Sequence, residues 1–157
     1  MKNRMSAIHA LLTLLLITGL LIACDEEEVC DQSVYSSLNA GFYKSGDEEQ
    51  DTSVQNFSCY GVGADSMLYD IQNDLPGLAL PLNPSTGSCS FVLIFDSIPD
   101  TLTFSYDQEL VFVSYPCGFA PHYSITEKHE SHNVIDSITI KSSEVNPQSE
   151  ENVKIYL

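Results

Sequence analysis

The sequence predicts an all-β protein: an antiparallel β-sandwich of about eight or nine strands, with a small β-barrel as the alternative. Three observations carry this reading. Beyond the N-terminal segment, no window of useful length places apolar residues at helical spacing. Short runs instead alternate between apolar and polar residues, the period of a half-buried strand. Turn signals recur roughly every eight to twelve residues, as in sandwiches and barrels. Unequal run lengths favour the sandwich over a closed barrel, and no internal repeat is visible.

The elements follow in chain order. Lys2 and Arg4 open the sequence, an apolar run extends from Ala10 to Ile22, and Ala23 stands just before Cys24. That is the layout of a secretory signal, and the run is shorter than the roughly 20 residues of a comfortable membrane span. "LIAC", Leu21 to Cys24, resembles a bacterial lipobox, which implies that Cys24 is lipidated and becomes the first residue of the mature chain. Several acyl chains, each buried CH₂ contributing about 0.8 kcal/mol, anchor far more firmly than one chain does. Asp25, Glu26, Glu27 and Glu28 follow at once. Four consecutive like charges repel one another and resist folding, so they read as an extended tether. The acidic run also resembles the export signal that sends Bacteroidota lipoproteins to the outer surface of the outer membrane. The implied location is therefore the cell outer membrane, lipid-anchored and surface-exposed, with a periplasm-facing anchor as the alternative. The predicted organisation is a lipoprotein signal peptide over 1–23, a lipidated acidic tether over 24–32 and a single β-sandwich domain over 33–157.

Within that domain, "SVYSSLNAGFY" (33–43) and "SVQNFSCY" (53–60) flank "KSGDEEQDT", whose glycine and acids mark a solvated hairpin loop. "SMLYDI" is a short strand. "GLALPLN" places Leu78, Leu80 and Leu82 on one face with Pro81 on the other, the mark of an edge strand. "SFVLIFD" is apolar on both faces, as in a central strand packed on two sides. "TLTFSY" directs Leu102, Phe104 and Tyr106 inward, and "ELVFVSY" follows across an expected turn at Asp107 and Gln108, giving a hairpin. "DSITIKS" and "NVKIYL" end the chain, with Ile138, Ile140, Val153, Ile155 and Leu157 facing the core.

Removing residues 1–23 from the 157 leaves about 130, the size of one domain and enough to bury roughly two thirds of the surface of the unfolded chain. Lys44, Lys128, Lys141 and Lys154 then stand against 22 acidic residues, a net charge of about −18. Such a surface excludes nucleic acid as a natural partner, because that affinity rests on cationic neutralisation of phosphates. Besides Cys24 there are Cys30, Cys59, Cys89 and Cys117, an even count that in an exported chain points to two disulfides with three possible connectivities. No two lie within the close spacing that zinc favours.

Few motifs carry chemistry. His122, His129 and His132 crowd "PHYSITEKHESHN" with Glu127 and Glu130 between them, weak candidates for a zinc or copper site. The H-E-S-H spacing is not the one-turn H-E-x-x-H pair, and the segment reads as a polar loop. "GVGADS" (61–66) has Ser66 where a dinucleotide loop carries its third glycine, with no helix to follow, so it reads as a turn. There is no nucleophile elbow. Asp47, Glu48, Glu49 and Asp51 lack the alternation and central glycine of a calcium loop and read as a solvated hairpin tip. Asp65, Asp96, Asp100 and Asp136 each precede Ser or Thr and then an aliphatic residue. Composition alone yields roughly one such match. The pattern resembles the O-glycosylation motif of Bacteroidota exported proteins, which makes Ser66, Ser97, Thr101 and Ser137 candidate glycan sites; Asp-Ser and Asp-Thr also simply start strands after turns.

"YGVGADSMLYD", "LALPLNP", "FVLIFDS", "DTLTFSYDQELVFVSYPCGF" and "NVKIYL", with the lipobox, resemble a family of small Bacteroidota outer-membrane lipoproteins known only as a domain of unknown function. The resemblance runs over nearly the whole mature chain. It implies a β fold, supplies no activity, and supports pairing Cys30 with Cys117, which leaves Cys59 with Cys89. The expected function is a membrane-anchored exported lipoprotein acting as a non-catalytic binding or structural module, with no cofactor, the membrane as a partner through Cys24, and a protein or glycan partner. The alternative is an envelope- or polymer-acting hydrolase or a metal-binding protein built on His122, His129 and His132.

Overall fold

In a computed structural model of the chain, residues 29–46 and 50–157 are described, and Asp31–Leu157 forms one compact unit. Among the described residues there are eleven strands and no helix: β1 (Ser37–Lys44), β2 (Gln50–Asp51), β3 (Phe57–Gly61), β4 (Met67–Gln72), β5 (Gly77–Pro81), β6 (Ser88–Phe95), β7 (Ile98–Ser114), β8 (Gly118–Glu130), β9 (Ser137–Ile140), β10 (Glu144–Val145) and β11 (Val153–Tyr156). One sheet runs β2-β1-β11-β9, with β5 also paired to β1; the other runs β10-β8-β7-β6-β3-β4. The all-β expectation holds.

The period-two patterns explain the core. Leu38, Ala40 and Phe42 of β1, Leu78 and Leu80 of β5, and Val153 and Ile155 of β11 are buried from the first sheet. Phe57, Phe91, Leu93, Phe95, Leu102, Phe104 and Tyr106 meet them from the second. Each large side chain buried this way contributes about 1.5–3 kcal/mol. Phe42 joins the sheets through edge-to-face contacts with Phe57 at 5.6 Å and Phe95 at 6.0 Å. The first and last long strands, β1 and β11, pair in parallel from Ala40↔Val153 to Tyr43↔Tyr156. β5 is an edge strand as Pro81 foretold, pairing only with β1. Its free side is closed by Tyr69 of β4, whose hydroxyl accepts from the Ala79 amide at 2.8 Å. A Cβ at Gly77 would lie 2.5 Å from the Ala40 carbonyl oxygen, so only glycine lets β5 approach β1 this closely.

Three expectations are corrected. β1 turns back only onto the two-residue β2, at Tyr43↔Asp51 and Lys44↔Gln50; the expected hairpin partner, β3, lies in the other sheet between β4 and β6. "TLTFSY" and "ELVFVSY" are one seventeen-residue strand, β7, with no turn at Asp107–Gln108. A tight hairpin needs a residue that accepts positive φ, and the chain finds it ten residues on at Gly118 (φ 73°), so β7 turns back through Tyr115–Cys117. The histidine-bearing segment expected to be a loop is the strand β8, which pairs with β7 from Leu102↔Glu130 to Ser114↔Gly118. Its polar residues had hidden the alternation that buries Tyr123 and Ile125.

Two polar clusters hold the corners. The Asp100 carboxylate, 1 % exposed, accepts hydrogen bonds from the Ser131 hydroxyl and from the amides of Asn133 (2.9 Å), Val134 (2.7 Å) and Ile135 (2.9 Å). It thereby fixes the connection from β8 in one sheet to β9 in the other. Asn152, equally buried, accepts from the Asn39 amide at 3.1 Å and donates to the Glu144 carbonyl at 2.7 Å, tying β1 to the β10 segment.

Candidate functional site

The feature that sets this domain apart is the outer half of the β7–β8 hairpin. Strand alternation carries the core-facing side of the sheet from Leu102, Phe104 and Tyr106 on to Leu110 and Phe112. On β8 the same side carries Tyr123, Pro121 and Phe119, in the register Gln108↔Tyr123, Leu110↔Pro121 and Phe112↔Phe119. Tyr106 and Tyr123 are the last of this series to be buried. Their rings meet edge to face at 5.2 Å, and both hydroxyls are satisfied at the Leu82–Asn83 backbone. Beyond them the ribbon runs past the opposing sheet, and its apolar side meets solvent: Leu110 is 71 % exposed, Phe112 50 %, Tyr115 95 % and Phe119 59 %.

The exposed rings are organised. Phe112 stands edge to face with both Tyr115 and Phe119, with ring centroids 5.5 Å apart in each pair. Leu110 to Pro121 contains no charged residue, in a chain that carries 22 acids. Grouped exposed apolar side chains of this kind mark a contact surface. A shallow recess of about 250 Å³ at its base is walled by Pro84, Gln108, Glu109, Leu110 and Pro121. The Ser36 hydroxyl donates to the Pro121 carbonyl, so the segment that leads into β1 is held against the ribbon. Gly118 makes the turn and Cys117, beside it, is disulfide-bonded, as is Cys30.

A larger recess of about 420 Å³ lies over the β1–β5 edge, with Gly41, Tyr69, Gly77 and Glu151 among its walls. Its polar groups are already engaged: Tyr69 with Ala79, and Glu151 with the Tyr43 hydroxyl at 2.8 Å and Lys141 at 3.3 Å. Burial, reinforced by the Glu151 carboxylate, pushes the Tyr43 hydroxyl up to about 12.

The residues singled out from the sequence are dispersed. His122 and His129 lie seven residues apart on β8, about 23 Å along the strand. His132 lies beyond the strand with its Nδ1 3.1 Å from the Ile135 carbonyl oxygen. Among the described residues no group of three His, Cys, Asp or Glu side chains is placed to hold a metal ion. The expected Cys59–Cys89 disulfide is absent, and both are free thiols. The register explains why: Cys59 faces Leu93 on β6, four residues and about 13 Å from Cys89, far beyond disulfide reach. Burial pushes the Cys59 thiol up to about 12 and raises that of Cys89. Ser66, Ser97, Thr101 and Ser137 are all exposed, but the Asp100 that precedes Thr101 is consumed by the corner cluster. "GVGADS" is the β3–β4 turn. Cys24 and Asp47 to Glu49 lie outside the described residues.

Sequence reasoning missed the ribbon and Asp100. The signal for the ribbon lay in its three aromatic residues, Phe112, Tyr115 and Phe119, about the turn at Gly118; its lack of charge was no signal by itself, since 52–64 and 75–95 are longer uncharged runs. Asp100 gave no signal beyond its membership of a motif repeated four times.

Comparison with known proteins finds one family model, described as a family of unknown function (DUF6452), that matches residues 56–157. The matched stretch starts at the entrance to β3 and takes in the whole ribbon. No curated protein and no solved structure matches the chain.

Proposed function

We propose that this chain, which belongs to the family of unknown function DUF6452, is a lipoprotein of a Bacteroidota cell envelope. It is anchored in the outer membrane through Cys24 and serves as a non-catalytic binding or structural module. The ribbon Leu110–Pro121 carries this reading: a β-sandwich of strongly acidic composition presents one uncharged surface of grouped aromatic side chains. The signal-like N-terminus, "LIAC" and the acidic run after Cys24 support the anchor and its outward-facing side. A disulfide between Cys30 and Cys117, supported by the bonded state of both sulfurs, joins the end of the tether to the ribbon's turn. It closes a long loop and contributes about 4–5 kcal/mol in the chain-entropy account.

Protease treatment of intact cells tests the display. Digestion of an epitope-tagged chain on intact cells is the expected result and directs the search for protein or glycan partners outward. Protection until lysis overturns the surface assignment.

A further inference from the structure

We propose that the occupant of the ribbon surface is the bilayer itself: the tip formed by Phe112, Tyr115 and Phe119 rests in the lipid interface beside the Cys24 anchor. This rests on the lipoprotein reading and on the Cys30–Cys117 pairing. Only six peptide steps separate Cys24 from Cys30, a reach of at most about 20 Å. A disulfide then places Cys117, in the ribbon's turn, within about 6 Å, Cα to Cα, of Cys30. The aromatic tip is therefore confined to the membrane side of the domain.

The chemistry of the tip suits that position. Tyrosine favours the boundary between headgroups and acyl chains, where its ring can be buried while the phenolic hydroxyl stays wet, and phenylalanine adds apolar surface that is buried just below it. The rest of the mature chain, at a net charge of about −18, is repelled by anionic lipid. The tip carries no charge from Leu110 to Pro121, so its exposed rings meet a lipid surface without that penalty. The opposite end of β7, at Ile98, lies about 50 Å away along the strand. The molecule therefore stands on its ribbon, with the β6–β7 turn pointing away from the membrane.

The chain contains no tryptophan, so a single introduced one reports depth. The lipidated full-length mature protein is reconstituted on phosphatidylcholine vesicles with or without brominated acyl chains, carrying Tyr115→Trp, Phe119→Trp or Ile98→Trp, all at exposed positions. Brominated lipid is expected to remove more than about half of the emission at positions 115 and 119, and to leave position 98 unchanged. Vesicle-bound protein with no quenching at 115 or 119 overturns the proposal while leaving the anchor intact. Quenching at all three positions overturns the upright orientation. Shielded emission that is independent of bromine, together with a doubled mass in detergent, assigns the surface to a second copy instead. Protein that fails to float with the vesicles refutes the lipoprotein reading itself.

Discussion

Replacing Asp100 with asparagine removes the charge from the β8–β9 corner while keeping the shape. The carboxylate accepts four hydrogen bonds, three of them from consecutive backbone amides. An asparagine keeps one acceptor oxygen and turns an NH₂ group toward amides that also donate. Two bonds to a charged acceptor are lost, each worth about 1.5–3 kcal/mol at a buried site. The expected loss is about 3–6 kcal/mol, a large share of the roughly 5–15 kcal/mol that stabilises a typical domain. Asp100→Ala leaves three backbone amides without their acceptor, that of Ile135 buried and those of Asn133 and Val134 partly so, and is expected to cost as much or more.

Burial alone would raise the carboxyl of Asp100. The bonds from Ser131, Asn133, Ile135 and Val134 outweigh it and hold the group below the usual carboxylate range. A lowered folded-state value means that this stability is fully present above the ordinary carboxyl range near pH 4. It is lost as pH falls through the folded value. Urea unfolding followed by circular dichroism reads both effects. With a slope of about 1–3 kcal/mol per molar, the midpoint of Asp100→Asn moves down by at least about 1 M at neutral pH, and part of the acid limb of stability flattens. A change below about 0.5 kcal/mol, or an acid limb identical to wild type, refutes the assignment of Asp100 as the corner's anchor.

Three further outcomes follow from the geometry. Ile71 sits at φ 44° in a bulge where the β3–β4 register jumps from Phe57↔Gln72 to Cys59↔Tyr69, and it is 63 % exposed; Ile71→Gly is expected to stabilise by about 1 kcal/mol, and a loss of stability in urea contradicts the strain. The unreduced mature protein is expected to expose two thiols to a maleimide on denaturation, Cys59 and Cys89, with Cys59 unreactive while folded because its thiolate is suppressed; no labelling after denaturation restores the disulfide. Glycopeptide mass spectrometry of protein from its native envelope is expected to leave Thr101 bare because Asp100 is inaccessible, and a glycan at Thr101 shows that the motif is modified before the corner folds.

Strand period and edge character were readable wherever one face is apolar and the other polar. Leu78, Leu80 and Leu82 beside Pro81, and Leu102, Phe104 and Tyr106 between small polar residues, behave as their spacing implies. Sheet membership was not readable, because it depends on packing across the core: Phe57 belongs to the sheet facing Phe42, not to the strand beside it. Asp-Gln looked like punctuation in a run whose real turn waited for Gly118. The polar face of β8 disguised a strand as a loop, and with it the distance between His122 and His129. The ribbon was half legible. Its lack of charge is a sequence property, but its projection beyond the core depends on the unequal extent of two sheets.

The measurement that bears most directly on this account is metabolic labelling with palmitate, read together with the intact mass of the mature chain, for wild type and Cys24→Ser. The account predicts a labelled wild-type protein that begins at Cys24 with its acyl groups attached, and an unlabelled Cys24→Ser chain that retains residues 1–23. An unlabelled wild-type chain, or one whose mature N-terminus lies elsewhere, contradicts the anchor and removes the basis for placing the ribbon on a membrane.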